Sequence, residues 1–313
     1  MRVLVAGGAG FLGSRLVPKL LVRGHDVVVV DTFTTGTRAH LADKPRRGSL
    51  RVIRADVSRA PHGSYDRVYH LAAAASPIAY AIRQVATLRA HSLGTLRLLE
   101  IAERSGARLL LTSSSEVYGD PLVHPQPETY RGNVDPIGPR SAYDEGKRFA
   151  EALAVAFVRE RGADVRIVRI FNAYGPGMRP DDGRMPAAFV VAALRGEPIR
   201  IHGDGSQTRS LCYVDDTCAG LIATMEHGRL GEPYNIGRQD EVTVRAFAKL
   251  VLRLTGSRSE IEWLPGREQD VSRRRPDTRK ARRELGWSPK VPLEVGLQRT
   301  IRWYRALLRA ELG

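Results

Sequence analysis

Five runs in the first 114 residues, Arg2–Ala6, Asp26–Asp31, Arg51–Ala55, Arg67–Leu71 and Arg108–Ser113, are apolar along their length rather than at alternate positions. Such runs predict strands buried on both faces, as in a parallel sheet held between two helix layers. Between them, Phe11–Arg23 and Ile82–Ser105 carry apolar residues three and four apart, the spacing of helices with one buried face. This alternation predicts a doubly wound parallel sheet with right-handed crossovers. A helix over Ser141–Arg161 and a strand over Val165–Ile170 continue it. Beyond Phe171 the rhythm breaks, with Pro176, Pro180, Pro186 and Pro198 among Gly175, Gly177, Gly183 and Gly196. The chain thus divides into an α/β domain over 1–172 and a smaller part over 173–313, loop-rich, built of short helical pieces and interleaved with the first.

Composition narrows the function. The 313 residues are 42% hydrophobic, and no apolar run approaches the roughly 18 residues of a membrane span. Met1 leads straight into the first strand, so neither secretion nor membrane insertion is expected. Cys212 and Cys218 lack metal-type spacing, which argues against a disulfide scaffold or a metal site and points to the cytoplasm. The formal charge is +15, carried almost wholly by arginine and spread along the chain. Its densest stretch, Arg267 to Arg283, reads either as a solvated face or as a polyphosphate or nucleotide site. With only 6% aromatic residues and no interleaved basic–aromatic pattern, a nucleic-acid surface is not expected.

The first strand runs into Gly7-Gly8-Ala9-Gly10-Phe11-Leu12-Gly13 and then a helix. Gly7, Gly10 and Gly13 suit a tight turn, close backbone approach to a pyrophosphate, and close helix–strand packing. Asp31 ends the second strand 18 residues after Gly13, placed to accept from the two hydroxyls of an adenosine ribose and to repel a 2′-phosphate. A Rossmann fold binding NAD through Gly7, Gly10, Phe11, Leu12, Gly13 and Asp31 follows, with Arg38 the one residue nearby that would favour NADP. Asp56 and Val57, after the third strand, either meet the adenine edge or form an ordinary strand-end turn.

The richest polar segment is Thr112-Ser113-Ser114-Ser115-Glu116-Val117-Tyr118, followed by Tyr143-Asp144-Glu145-Gly146-Lys147. Tyr143 and Lys147 stand four apart on a helix, hence on one face, where an ammonium can favour the ionised phenol and touch the cofactor. A tyrosinate can take the proton of a sugar hydroxyl while NAD takes the carbon-bound hydride.

On these residues the sequence resembles the extended short-chain dehydrogenase/reductase superfamily and, within it, is similar to the UDP-glucuronate decarboxylases, or UDP-xylose synthases. The segments that carry the likeness are SSSEVYGDP (113–121), HPQPETY (124–130), DPIGPRSAYDEGKR (135–148), RIFNAYGPGM (169–178), DGR (182–184), GEPIRIHGDGSQTRSLCYVDD (196–216) and RRRPD (273–277). The resemblance implies oxidation of a sugar C4 hydroxyl, with Tyr143 as base and Ser114 in support. Ser115-Glu116 stands where dehydratases place Asp–Glu and where simple 4-epimerases have an apolar or small residue at the second position. Decarboxylases keep Ser-Glu, which favours loss of carbon dioxide from a uronic acid. It further implies that Asn172, Arg184, Arg209, Arg267 and Arg274 bind the nucleotide sugar, a task for which the planar guanidinium is suited, and that the chain forms a homodimer through helices including Ser141–Arg161. On its own, Glu116 also reads as the buried partner of an arginine.

Two stretches depart from the decarboxylase pattern. Ala73 and Ala74 lie in a segment that loses a hydroxyl near the nicotinamide, and Arg89-Ala90-His91 replaces Lys-Thr-Asn. Arg89 keeps a cation able to meet a carboxylate, whereas His91 replaces an asparagine. The alternatives are a 4-epimerase or a 4,6-dehydratase-like enzyme on another nucleotide sugar, and an NAD-binding sensor, which would have no use for the Tyr143/Lys147 pair.

Overall fold

Val3, Leu4, Val5 and Ala6 are sealed from solvent on both sides, and the strand they form, β1 (Arg2–Ala6), lies inside the sheet rather than at its edge. The computed structural model describes residues 1–42, 47–266 and 273–310. In chain order the strands of the first half are β2 (Asp26–Asp31), β3 (Leu50–Arg54), β4 (Arg67–His70), β5 (Arg108–Ser114) and β6 (Val165–Ile170). The short strands β7 (Ala173–Tyr174), β8 (Ile199–His202), β9 (Thr208–Ser210) and β10 (Cys212–Tyr213) then precede β11 (Pro233–Ile236), and β12 (Glu241–Thr243), β13 (Ile261–Leu264) and β14 (Arg273–Arg274) follow it. Seven of these make one parallel sheet in the order β11-β6-β5-β4-β1-β2-β3. The strand order reverses between β1 and β4, and ligands of open α/β sheets bind beyond the carboxyl ends of the strands at such a point.

Alternate side chains of β1 enter two separate cores. Val3 and Val5 pack with Leu16, Val17 and Leu20 of α1 (Gly13–Val22) and with Cys218, Leu221 and Met225 of α7 (Val214–His227). Leu4 and Ala6 pack with Leu98 and Ala102 of α4 (Leu93–Ser105) and with Ala150, Ala154 and Phe157 of α5 (Ser141–Arg161). β11 and α7 come from the second half of the chain, so sheet and helix layer are completed by residues far from the first strands. β9 pairs with β12 and β14, and these strands with α6 (Met185–Arg195) and α8 (Val244–Thr255) roof the sheet's carboxyl edge.

Three expectations need correction. β3 is the edge strand and is half exposed, not buried on both faces, because no strand among the described residues pairs beyond it. The helix expected over Ile82–Ser105 is two pieces, α3 (Gln84–His91) and α4, broken where Ser92 takes φ −95°, ψ −79°, and an unexpected helix α2 (Pro77–Ile82) precedes them, set off where Arg83 takes φ −121°, ψ 47°. After residue 172 the helices are not uniformly short: α6, α7, α8 and the last helix, Leu293–Ala310, run for 11, 14, 12 and 18 residues. Their prolines sit at first turns or in the connections, where they cost no helix hydrogen bond.

Candidate functional site

Two cavities open at the carboxyl edge, of about 400 and 520 Å³, and share Phe11, Leu12, Leu71, Ala73 and Arg184 as walls.

The smaller is lined by Gly7, Gly10, Phe11, Leu12, Gly13, Asp31, Asp56, Val57, Ala73 and Ala74. Gly7 has φ +79°, and a Cβ there would stand 2.7 Å from the backbone nitrogen of Ala72; a Cβ on Gly13 would lie 2.3 Å from the Gly8 carbonyl. The turn is therefore closed to any larger residue at both positions. The amides of Ser14 and Leu16 at the start of α1 donate to the Gly10 and Leu12 carbonyls, each at 2.9 Å, which ties the glycine turn to the helix while Gly10 to Gly13 line the cavity. Asp31 is buried, and its carboxylate accepts from Ala9 N at 2.9 Å and Phe33 N at 2.8 Å. Two donors leave lone pairs for a pair of ribose hydroxyls. Asp56 accepts from the Ser58 amide and hydroxyl at 2.9 and 2.6 Å, which makes it a turn residue as well as a cavity wall. Arg38 is exposed and rests over the Phe33 ring. The donor set and the shape fit a dinucleotide.

The larger cavity gathers residues from six stretches of chain: Ser114 at the end of β5 and Glu116 just after it, Arg140, Tyr143 and Lys147 of α5 and its approach, Asn172 after β6, Arg184 before α6, Arg209 on β9, and Arg274 on β14. Thr112 anchors the centre, its hydroxyl donating to the His70 carbonyl at 2.6 Å while its own carbonyl accepts from Lys147 Nζ at 2.6 Å. The Lys147 ammonium lies 5.7 Å from the centre of the Tyr143 ring, and Ser114 hydrogen-bonds the phenol.

The expected ionised phenol is not what this site favours. Burial pushes the Tyr143 phenol well above the usual tyrosine range, against the opposing hydrogen bond from Ser114. Burial likewise brings Lys147 down to about 7, with Glu151 opposing. Both groups are buried, and desolvation outweighs their neighbours.

Glu116 is gripped by two arginines. Arg140 bonds one carboxylate oxygen, and Arg274 bonds both, its Nη2 at 3.0 Å from Oε2. Burial would raise this carboxyl, but Arg274 and Arg140 together hold it below the usual range. Asp144, 3.6 Å from Arg140, behaves oppositely: burial and the Glu116 charge raise it to about 7. Arg274, expected as a clamp on substrate, thus forms an ion pair with Glu116, the geometry of a buried arginine partner.

The remaining expectations divide. Arg184 makes a two-point pair with Asp182, with Nη2 2.8 Å from the carboxylate, and lies over Phe11 where the cavities meet. Arg209 donates to the Thr208 carbonyl at 2.9 Å, and the backbone carbonyl of Asn172 accepts from Cys212 N at 2.9 Å. Arg89 is not brought to the site: it is exposed on α3 and lines neither cavity. Arg267 lies outside the described residues. Arg140, Asp144, Tyr80 and Thr112 were given no role by sequence reasoning. Arg140 stands one helical turn before Tyr143 and Asp144, a spacing that could have marked it.

The family model described as "NAD dependent epimerase/dehydratase family" matches residues 3–237. UDP-glucuronic acid decarboxylase 1 of Danio rerio is 47% identical over 97% of this chain and 72% of its own length, and UDP-glucuronic acid decarboxylase 3 of Arabidopsis thaliana is 49% identical over 95% and 87%. Among solved structures, a UDP-glucose 4-epimerase of Thermotoga maritima with UDP-glucose superposes with a TM-score of 0.90 at 32% identity, covering 98% of this chain and all of that one. MoeE5 in complex with UDP-glucuronic acid and NAD gives a TM-score of 0.82 at 34% identity, with 98% and 100% covered. The chain belongs to the NAD dependent epimerase/dehydratase family and, within it, to the family of the UDP-glucuronic acid decarboxylases.

Proposed function

We propose that this protein is an NAD-dependent decarboxylase that converts UDP-glucuronate to UDP-xylose through a 4-keto sugar. The observation that carries the reading is the grouping, in one cavity joined to a dinucleotide cavity, of a phenol with its serine and lysine beside the Arg140–Glu116–Arg274 cluster. With Asp144 protonated, two guanidinium groups against the Glu116 carboxylate leave a net positive wall, which suits a substrate that brings its own carboxylate.

The backbone of Gly7 to Gly13, with Asp31, Asp56, Val57, Tyr143 and Lys147, would hold NAD, which supplies the acceptor and later the donor of the C4 hydrogen. With the cationic nicotinamide bound, which would favour the phenolate, the ionised Tyr143 would take the proton of the C4 hydroxyl, with Ser114 donating to the oxygen as it becomes a ketone. That ketone is β to the C6 carboxylate. The C5–C6 bond can then break with its electron pair entering the ketone as an enolate, and carbon dioxide leaves without a metal. Protonation at C5 and reduction at C4 complete the pentose. Glu116 and the arginines around it hold the ring and its carboxylate, with Asn172, Arg184 and Arg209 on the nucleotide side.

The test is the mass of the product formed from UDP-glucuronate. Loss of carbon dioxide supports the reading; loss of water or an unchanged mass would replace it with a dehydratase or a 4-epimerase. Absence of any turnover, with NAD bound, would leave an NAD-binding sensor.

The chain is further proposed to pair with itself. Ile82, Val85 and Leu88 on α2 and α3 and Phe149 on α5 are exposed apolar side chains on helices that pack together. A cytoplasmic setting accords with Cys212 and Cys218 as buried free thiols, and no helix among the described residues is long and apolar enough to cross a membrane.

A further inference from the structure

The Tyr143 ring is enclosed on two sides by aromatic groups to which the chemistry above assigns nothing. Tyr80, on α2, stacks on it with centroids 5.1 Å apart and planes 18° from parallel. His91, the last residue of α3, meets it edge-on, centroids 5.5 Å apart and planes at 73°. These are the two arrangements that the charge distribution of an aromatic ring favours. His91 is fully buried, and its Nε2 has no hydrogen-bond partner. A Cβ on Gly146 would come within 2.7 Å of its ring, so the imidazole is wedged between α3 and α5 with no room to turn. Tyr80 is backed in turn by Arg140, whose guanidinium carbon is 5.9 Å from its ring centre.

The break at Arg83 makes this enclosure possible. In one uninterrupted helix, residues 80 and 91 would stand about 16 Å apart along the axis. Here the chain turns between α2 and α3, and the two side chains converge on one ring. The start of α2 is fixed from the other wall of the cavity: Ser76 donates to the Asp182 carbonyl at 2.5 Å and caps the helix by accepting from Ala79 N.

We propose that Tyr80 and His91 are positioning residues, a two-sided aromatic clamp that holds the Tyr143 phenol in line with the sugar hydroxyl it deprotonates. The clamp rests on the assignment of Tyr143 as the base. Its necessity is geometric. The phenol reaches into a cavity of about 520 Å³ from a side chain with two rotatable bonds, and Ser114 fixes only its tip. A displacement of about 1 Å at a reacting group can cost on the order of 10²-fold in rate.

The experiment compares kcat and KM for UDP-glucuronate, and the single-turnover growth of the NADH absorbance, across Tyr80→Leu, Tyr80→Phe, His91→Leu and Tyr143→Phe in NAD-loaded protein. Both leucine variants should lose roughly 10- to 100-fold in kcat and in the single-turnover rate, with KM within about threefold of the wild type. Tyr80→Phe, which keeps the stacked ring, should recover most of the loss. The leucine variants strike from separate helices, so if one fails to fold the other still decides. Wild-type kcat in either leucine variant, a change confined to KM, or a Tyr80→Phe enzyme as slow as Tyr80→Leu would overturn the clamp. An active Tyr143→Phe would remove both the base and the clamp, whereas an inactive one beside full-speed leucine variants would sink the clamp alone.

Discussion

Tyr143 and Lys147 share a face and a neighbourhood, yet in the folded protein burial shifts each in the direction opposite to the one a simple ion pair would give. The phenol keeps its proton because burial penalises its anion, so ionisation must be driven by what enters the cavity. Tyr143→Phe retains the ring and its contacts with Tyr80 and His91 while removing the acid–base group. It should leave UDP-sugar binding within a few fold by calorimetry and cut turnover by roughly 10²–10⁴-fold, the usual worth of a general base; retention of more than about a hundredth of the rate would assign the base elsewhere. Asp31 makes the corresponding statement for the cofactor. Its two backbone bonds, to Ala9 and Phe33, fix the carboxylate at the end of β2, where it can accept from a ribose diol but would repel a phosphate. Asp31→Ala should therefore weaken NAD binding much more than NADP binding in a fluorescence titration. Equal weakening would show that the aspartate only shapes the turn.

At the scale of elements, α5 and its approach carry the site at one-turn intervals: Arg140, Tyr143 and Asp144, Lys147, and Glu151. Asp144 pays for that arrangement in stability. Its carboxyl is raised to about 7 by burial and by Glu116, so between about pH 4 and 7 the folded protein holds a proton that the unfolded chain has released. Stability falls as pH rises through that window, and the cost is complete above it. Asp144→Asn does not titrate. Its unfolding free energy from urea titration should rise relative to wild type between pH 4.5 and 8, by an amount on the order of 1 kcal/mol, and a difference that stays constant with pH would refute the shift. The same helix shows what the sequence discloses. β1, β2, α5 and β6 have the bounds expected because burial on both faces, or on one helical stripe, writes itself into every few residues. The division of α2 from α3 was not legible: Arg83 adopts its unusual backbone angles with no glycine or proline beside it to announce them. Tyr143 and Lys147 could be found from spacing four apart, but Glu116 and Arg274 are 158 residues apart, and only the pairing of β14 with β9 brings the arginine over the carboxylate. Arg89 is the reverse case, a cation credible by position in the chain that α3 turns outward.

For the whole molecule, the +15 charge and the exposed apolar set answer different questions. Much of the arginine is engaged locally, as in Arg169 with Glu151 and Arg108 with Asp164, so the excess is not one basic stripe. It remains a field that favours the approach of doubly anionic ligands. Ile82 and Val85 are about three-quarters exposed and Phe149 half exposed, an apolar set on neighbouring helices α2, α3 and α5. A second copy of the chain, covering α3 and α5, would bury them, and α5 would then bear Phe149 in the contact and Tyr143 in the site. Replacing Val85 and Phe149 together with glutamate places two like charges in each half of a symmetric contact, a cost that apolar burial at about 25 cal/mol per Å² could not offset. Sedimentation equilibrium should find wild-type protein at twice the chain mass and the double variant at the chain mass. If both sediment as one chain, the apolar face belongs to another partner and the proposed homodimer is wrong. If the variant is monomeric yet turns over UDP-glucuronate at the wild-type rate, pairing contributes nothing to the positioning of α5.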